Sequence, residues 1–268
     1  MLSKIISGGQ TGVDRAALDV AISFGIDHGG FVPKGRKAED GVIATGYNLT
    51  ELDTRRYAAR TEKNVAHSDG TLIISRGGLK GGSRLTRTLA LSHEKPWLNL
   101  DLGAIELLAG AGSASSWIDK NSIEILNVAG PRSSEDPGIY GAAVKALKTL
   151  LCLNLVGISI CDSLGRSDAS LFPPTGMDRA VDTIESRLSL REKAIISRLN
   201  KEDLGVLYGA LGEYIILNFK LGSGNSELLE VCHVRSGQEM ITEMDASKII
   251  LEALWERIRK TYLLRVVK

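Results

Sequence analysis

Through the first half of the chain, short apolar runs alternate with segments of helical periodicity. Residues 2–7, 69–75, 95–100 and 123–128 read as strands, with a shorter strand at 31–32 that stops at Pro33. Residues 14–24, 56–67, 84–92, 104–118 and 139–151 read as helices, the fourth interrupted near Gly110 and Gly112. In the first helix Leu18, Ala21, Ile22 and Gly25 recur on one face. Thr11 and Asp14 have the spacing of a capping box, and Gly25 is placed to end the helix. The strands are continuous apolar runs, which marks an α/β fold with a mostly parallel sheet and helices on both faces.

The pattern changes after about residue 155. Residues 161–175 are rich in Ser, Asp, Gly and Pro, and helical periodicity takes over from Met177. Helices are expected over 178–199, 201–219 and 245–262, with Asp245 as the N-cap of the last. The expected division is a ligand-binding domain over 1–155, a linker over 156–180 and a small, mainly helical module over 181–268.

Composition narrows the function. The chain has 268 residues, and its net charge of +1 argues against a nucleic-acid partner. Three cysteines, Cys152, Cys161 and Cys232, form no C-x-x-C pair and read as reduced thiols. No apolar run approaches the roughly 20 residues of a membrane span, and the first residues lack a signal-peptide core. A soluble, cytoplasmic protein is expected.

Three glycine-bearing turns directly follow strands: residues 8–12, 77–83 and 130–132. In an open parallel sheet such turns converge outside the carboxyl ends of the strands. The first two also open helices, where free amides and the helix dipole favour an anion. The predicted phosphate-binding set is Gly8, Gly9, Gln10, Thr11 and Gly12 from the first loop and Gly78, Gly81, Gly82, Ser83 and Thr86 from the second. Arg15, Lys34, Arg36, Arg60 and Arg132 would supply charge. Asn64 would orient the ligand, and Gly130 belongs to the third turn. Neither loop is a G-x-G-x-x-G fingerprint or a P-loop, so NAD and P-loop nucleotide readings are poor. The four histidines have no zinc-site spacing, no metal site is expected, and no nucleophile is evident. Asp14 is awkward beside a phosphate: it caps backbone groups, pairs with an arginine, or holds a metal or a ligand hydroxyl. Asp14, Glu39 and Asp40 are the candidates for acid–base work.

These residues resemble a known family. Ser7 to Leu18, the run Pro33-Lys34-Gly35-Arg36 with Ala38-Glu39-Asp40-Gly41, Arg60-Thr61-Glu62 with Asn64-Val65, Gly81-Gly82-Ser83 with Thr86, and Asn127 to Arg132 followed by Pro137-Gly138-Ile139-Tyr140 occur in the order of the family named putative molybdenum carrier. The resemblance covers residues 1–151. It implies a Rossmann-like fold related to the Lonely Guy phosphoribohydrolases and to DNA-processing protein A. The implied ligand is a phosphate-bearing small molecule, either a nucleotide or the molybdenum cofactor. In the Lonely Guy motif a glutamate serves glycosidic cleavage, and Thr86 stands at that place here. Whether the chain is an enzyme is therefore open. The first hypothesis is a binding protein or carrier. A hydrolase cleaving N-glycosidic or phosphoester bonds is the second, and the third is a ligand-sensing interaction protein whose helical module engages a partner when the pocket fills; a homo-oligomer is a separate expectation. Residues 188–268 are similar to a small helical domain family of unknown function, which implies no activity.

Overall fold

The computed structural model describes residues 2–157 and 173–262. Contacts divide the chain into two compact units, Met1–Leu151 and Cys152–Lys268. The first unit is built on a five-stranded sheet in the order β2-β1-β9-β7-β8, all parallel. Its strands are β1 (Lys4–Ile6), β2 (Asp27–Gly29), β7 (Gly70–Ser75), β8 (Trp97–Asp101) and β9 (Ile125–Ala129). Two-residue pairs add β3 (Phe31–Val32) with β6 (Thr50–Glu51), and β4 (Lys37–Ala38) with β5 (Gly41–Val42). All six residues of β7 are buried. Successive strand residues point to opposite faces, so both faces of the sheet are covered.

The helices are α1 (Val13–Phe24), α2 (Tyr57–Ala66), α3 (Gly81–Ser92), α4 (Leu107–Lys120) and α5 (Ile139–Cys152). The connection β1-α1-β2 runs outward on one side of the central β9, and β7-α3-β8 runs outward on the other. The loops after β1 and β7 thus leave in opposite directions, which opens a crevice at the carboxyl edge.

Several local expectations are corrected. Gly25 does end α1 in the left-handed conformation, but Ile22 is 45% exposed, and the buried face is formed by Val13, Ala16, Ala17, Leu18, Val20, Ala21 and Phe24. Thr11 and Asp14 make no capping box: the N-cap is Gly12, without a side-chain cap. Helix α3 begins at Gly81, so the second glycine pair belongs to its first turn. Helix α4 runs unbroken through Gly110 and Gly112, where Gly110 gives room to Leu100 and Ile105.

The second unit contains a π-helical turn at Leu153–Gly157 and the helices α6 (Met177–Glu185), α7 (Leu190–Arg198), α8 (Leu204–Asn218), α9 (Ser226–Ser236) and α10 (Glu243–Tyr262). The single helix expected over 178–199 is two, because Ser189 and Glu192 form a capping box that restarts the chain. Helix α9 lies in a stretch for which no helix was expected; Asn225 caps it and also donates to the Phe219 carbonyl (2.8 Å). Thr242 occupies the capping position before α10, with Asp245 as its reciprocal partner, so Asp245 is not the N-cap. Trp255 is a core residue whose indole donates to the Leu199 carbonyl (2.9 Å). Cys152 and Cys232 are buried, and Cys161, with most of the expected linker, lies outside the described residues. No helix among the described residues is long and apolar enough to cross a membrane.

Candidate functional site

A cleft of about 180 Å³ opens at the carboxyl edge of the sheet. Four segments build it. The turn after β1 and the start of α1 give Gln10 and Asp14, α2 gives Arg60, α3 gives Gly82 and Thr86, and the turn after β9 gives Gly130 and Arg132. These segments meet because two glycines permit close approach. A Cβ on Gly130 would lie 2.3 Å from the Ile74 carbonyl oxygen and 2.5 Å from Val13, so this glycine packs the ends of β9 and β7 against α1. A Cβ on Gly8 would lie 1.8 Å from an Arg60 nitrogen. Gly8 is therefore the seat of the Arg60 guanidinium.

Seated there, Arg60 donates to the Asp14 carboxylate at 3.1 Å, with both side chains nearly buried (12% and 5% exposed). Burial pushes the Asp14 carboxyl above its ordinary range, against the opposing pull of Arg60 and the Gln10 amide. The Nε of Arg60 is buried with no partner among the described residues. At the opposite wall, α3 starts after Lys80 with no side-chain cap. The amides of Gly81, Gly82 and Ser83 are left at the positive end of the helix dipole. A Cβ on Gly82 would meet nothing within 4 Å, so this glycine faces open space. Tyr57 and Leu85 flank the cleft with exposed apolar surface. Glu135 also lines it, and its carboxylate accepts from Arg132 Nε (3.3 Å).

The predicted residues divide sharply. Gln10, Asp14, Arg60, Gly82, Thr86, Gly130 and Arg132 line the cleft. Gly81 and Ser83 belong to the adjoining turn of α3. Gly9 accepts through its carbonyl from Arg15, which also pairs with Asp40 (3.3 Å), so Arg15 and Asp40 brace the first loop from outside the lining. Arg36 donates to four carbonyls, those of Ile43, Leu49, Ala44 and Tyr47, and thereby shapes its own loop. Asn64 is buried and grips both backbone groups of Phe31, at 2.8 and 3.1 Å. The Lys34 side chain is exposed, and Gly78 has open space around it.

Glu39 reaches back from the β4–β5 hairpin. Its carboxylate accepts from the Thr11 hydroxyl and from the Ser134 amide (3.1 Å) and hydroxyl (2.5 Å), with Arg132 3.9 Å away. Gln10 completes this tie, its side-chain oxygen accepting from the amides of Thr11 (3.0 Å) and Glu39 (2.8 Å). Burial alone would push the Glu39 carboxyl up. Ser134, Thr11 and Arg132 outweigh it and hold the carboxyl below its ordinary range. A group with a depressed folded pKa stabilises above its unfolded value, and that contribution is lost as pH falls through the folded one. Glu39→Gln should therefore lower the Tm at neutral pH, and the gap to the unsubstituted chain should close in acid, as read from thermal unfolding across a pH series.

Sequence reasoning did not single out Asp19, Tyr47 or Tyr140. Asp19 accepts from the hydroxyls of Tyr47 (2.6 Å) and Tyr140 (2.8 Å), which ties the hairpin region and α5 to α1. Burial first and Asp19 second push both phenols up to about 12. Asp19 sits on the same face of α1 as Arg15, four residues on, and that spacing was the available signal.

Comparison with known proteins falls on the unit that holds this cleft. Residues 5–151 match the model of the circularly permutated YpsA SLOG family. A solved chain from Syntrophus aciditrophicus SB, titled putative molybdenum carrier protein, is 53% identical with a TM-score of 0.56. The match covers 56% of this chain and 95% of that one. No curated protein matches.

Proposed function

Since the chain belongs to the circularly permutated YpsA SLOG family, we propose that its first unit is a small-molecule-binding module whose cleft holds an oxyanion or a phosphate-bearing ligand. The observation that carries this reading is the uncapped start of α3, whose glycine amides open onto the same cleft as Arg60 and Arg132. Amides and guanidinium groups are the donors suited to phosphate-like oxygens. The donor set also fits the name of the solved relative, if molybdenum travels as molybdate or on a phosphate-bearing cofactor. On this reading the ligand's oxygens lie at the α3 start, Arg60 and Arg132 flank them, and Tyr57 and Leu85 meet any larger, flat portion.

Thermal unfolding with inorganic phosphate, molybdate or AMP tests the reading. A ligand at about 100 times its Kd stabilises by about 2.7 kcal/mol. A rise in Tm that grows with the logarithm of ligand concentration is expected with at least one of the three. No rise with any at millimolar concentration would overturn it.

A hydrolytic reading has one observation in its favour: a buried carboxyl, Asp14, raised toward the protonated form at the edge of the cleft. Released ribose 5-phosphate from AMP would support it. Binding of AMP without release would leave the carrier reading alone.

A further inference from the structure

A second cavity in the first unit shares no residue with the cleft. It has a volume of about 280 Å³ and lies where β1, β2 and β3 meet the end of α2. We propose that it binds a small monocarboxylate, a molecule with one carboxylate on a short apolar body.

Charge is the first argument. Lys4 lines the cavity, and its ammonium lies over Gly29, 3.6 Å from where a Cβ of that residue would be. Among the described residues no carboxylate pairs with it and no carbonyl accepts from it. A half-buried ammonium without a counterion favours an anionic ligand. The second argument is the surrounding polar set. Asn48 and Thr50 line the same cavity at its exposed mouth, where their side chains can donate to a carboxylate. His67, an exposed residue at the rim, is oriented by its own helix, with Nδ1 2.9 Å from the Lys63 carbonyl, and presents its ring to the ligand's body. Thirdly, the negative end of α2 would repel an anion, yet it is covered: Lys95 Nζ donates to the carbonyls of Ala66 (2.6 Å) and Ser68.

The remaining wall selects the body. Ile6 lines the cavity, and the Phe31 ring packs 4.7 Å from His67. The volume of about 280 Å³ lies near the lower end of the small-molecule range of roughly 300–1,000 Å³, which suits a short apolar body. Phosphate is disfavoured because one ammonium is a poor match for a dianion that elsewhere collects several donors.

Amide shifts recorded by NMR on the full chain, titrated separately with butyrate, butyramide and inorganic phosphate, test this. Butyrate should give saturable shifts at Gly29, Gly30 and Thr50, and butyramide, its neutral isostere, should give none. Lys4→Met should weaken butyrate on the order of tenfold, and Lys4→Arg should retain it. The proposal is overturned by any one of four results: equal binding of butyramide, an unchanged Kd in Lys4→Met, preference for phosphate over butyrate, or no saturable shift. The butyramide comparison uses the unsubstituted chain, so it stands even if Lys4→Met does not fold. The cavity is also independent of the cleft, and loss of phosphate binding there should leave these shifts unchanged.

Discussion

Asp14→Ala should destabilise the first unit by about 3 kcal/mol, the low end of the range for removing one partner of a buried ion pair. Its carboxylate is the one acidic partner of Arg60 among the described residues, and both side chains are nearly buried. Without Asp14 the guanidinium over Gly8 loses its acidic partner in a nearly buried position. The cleft admits water to one side of the pair, which keeps the cost from the upper end. The raised carboxyl carries a second consequence. Burial opposes the attraction of Arg60 at this carboxyl, and in buried ion pairs the cost of desolvation can exceed the Coulombic gain. Replacing both partners by apolar residues, Asp14→Leu with Arg60→Met, should then cost less than Asp14→Ala alone. Urea unfolding of the three proteins at neutral pH gives the comparison. A double variant less stable than the single one would show that the pair is a net gain, and that the cleft floor is held by charge.

Much of the frame was legible because its determinants are local. The apolar runs that became β7 and β9 are buried on both faces, and a parallel sheet needs that. Gly25 ends α1 because only the residue after the helix has to turn left-handed. The site was legible as a set of loops but not as a set of roles. Arg36 and Arg60 look alike in sequence, each beside polar residues in a quoted motif. Arg36 spends its donors on carbonyls of its own loop, and Arg60 crosses to Gly8 and Asp14. Nothing within a window of the sequence separates them, since the second contact spans 46 positions. The structural role of Asn64, expected to orient a ligand, was hidden for a related reason. Its amide mimics a neighbouring strand for Phe31, which requires knowing that α2 lies beside β3. Helix α9 escaped because its residues show no apolar stripe, and it is held by the Asn225 cap and by burial of Leu228 and Cys232. The reach of Glu39 to Thr11 and Ser134 joins three segments that no periodicity links.

Gly82→Leu should abolish phosphate-like binding in the cleft and leave the fold intact. The two effects separate because of where Gly82 stands. A Cβ there meets no atom within 4 Å, so a side chain enters the cleft rather than the protein. The residue lies in the first turn of α3, and Gly is the poorer helix former by about 0.8–1 kcal/mol. Stability should thus hold or rise slightly. Leucine would cover the open amides and fill the space between them and Arg60. Binding should fall on the order of a hundredfold or more, the loss expected when charge-assisted hydrogen bonds are blocked together. Gly81→Leu is not an equivalent test, because φ is +46° at Gly81 and a side chain there strains the backbone. Calorimetric titration with whichever of phosphate, molybdate or AMP stabilises the unsubstituted chain reads the loss, and a thermal melt of Gly82→Leu reads the fold. If that variant binds as tightly as the original chain, the start of α3 does not meet the ligand, and the anion-binding reading of the cleft fails with it.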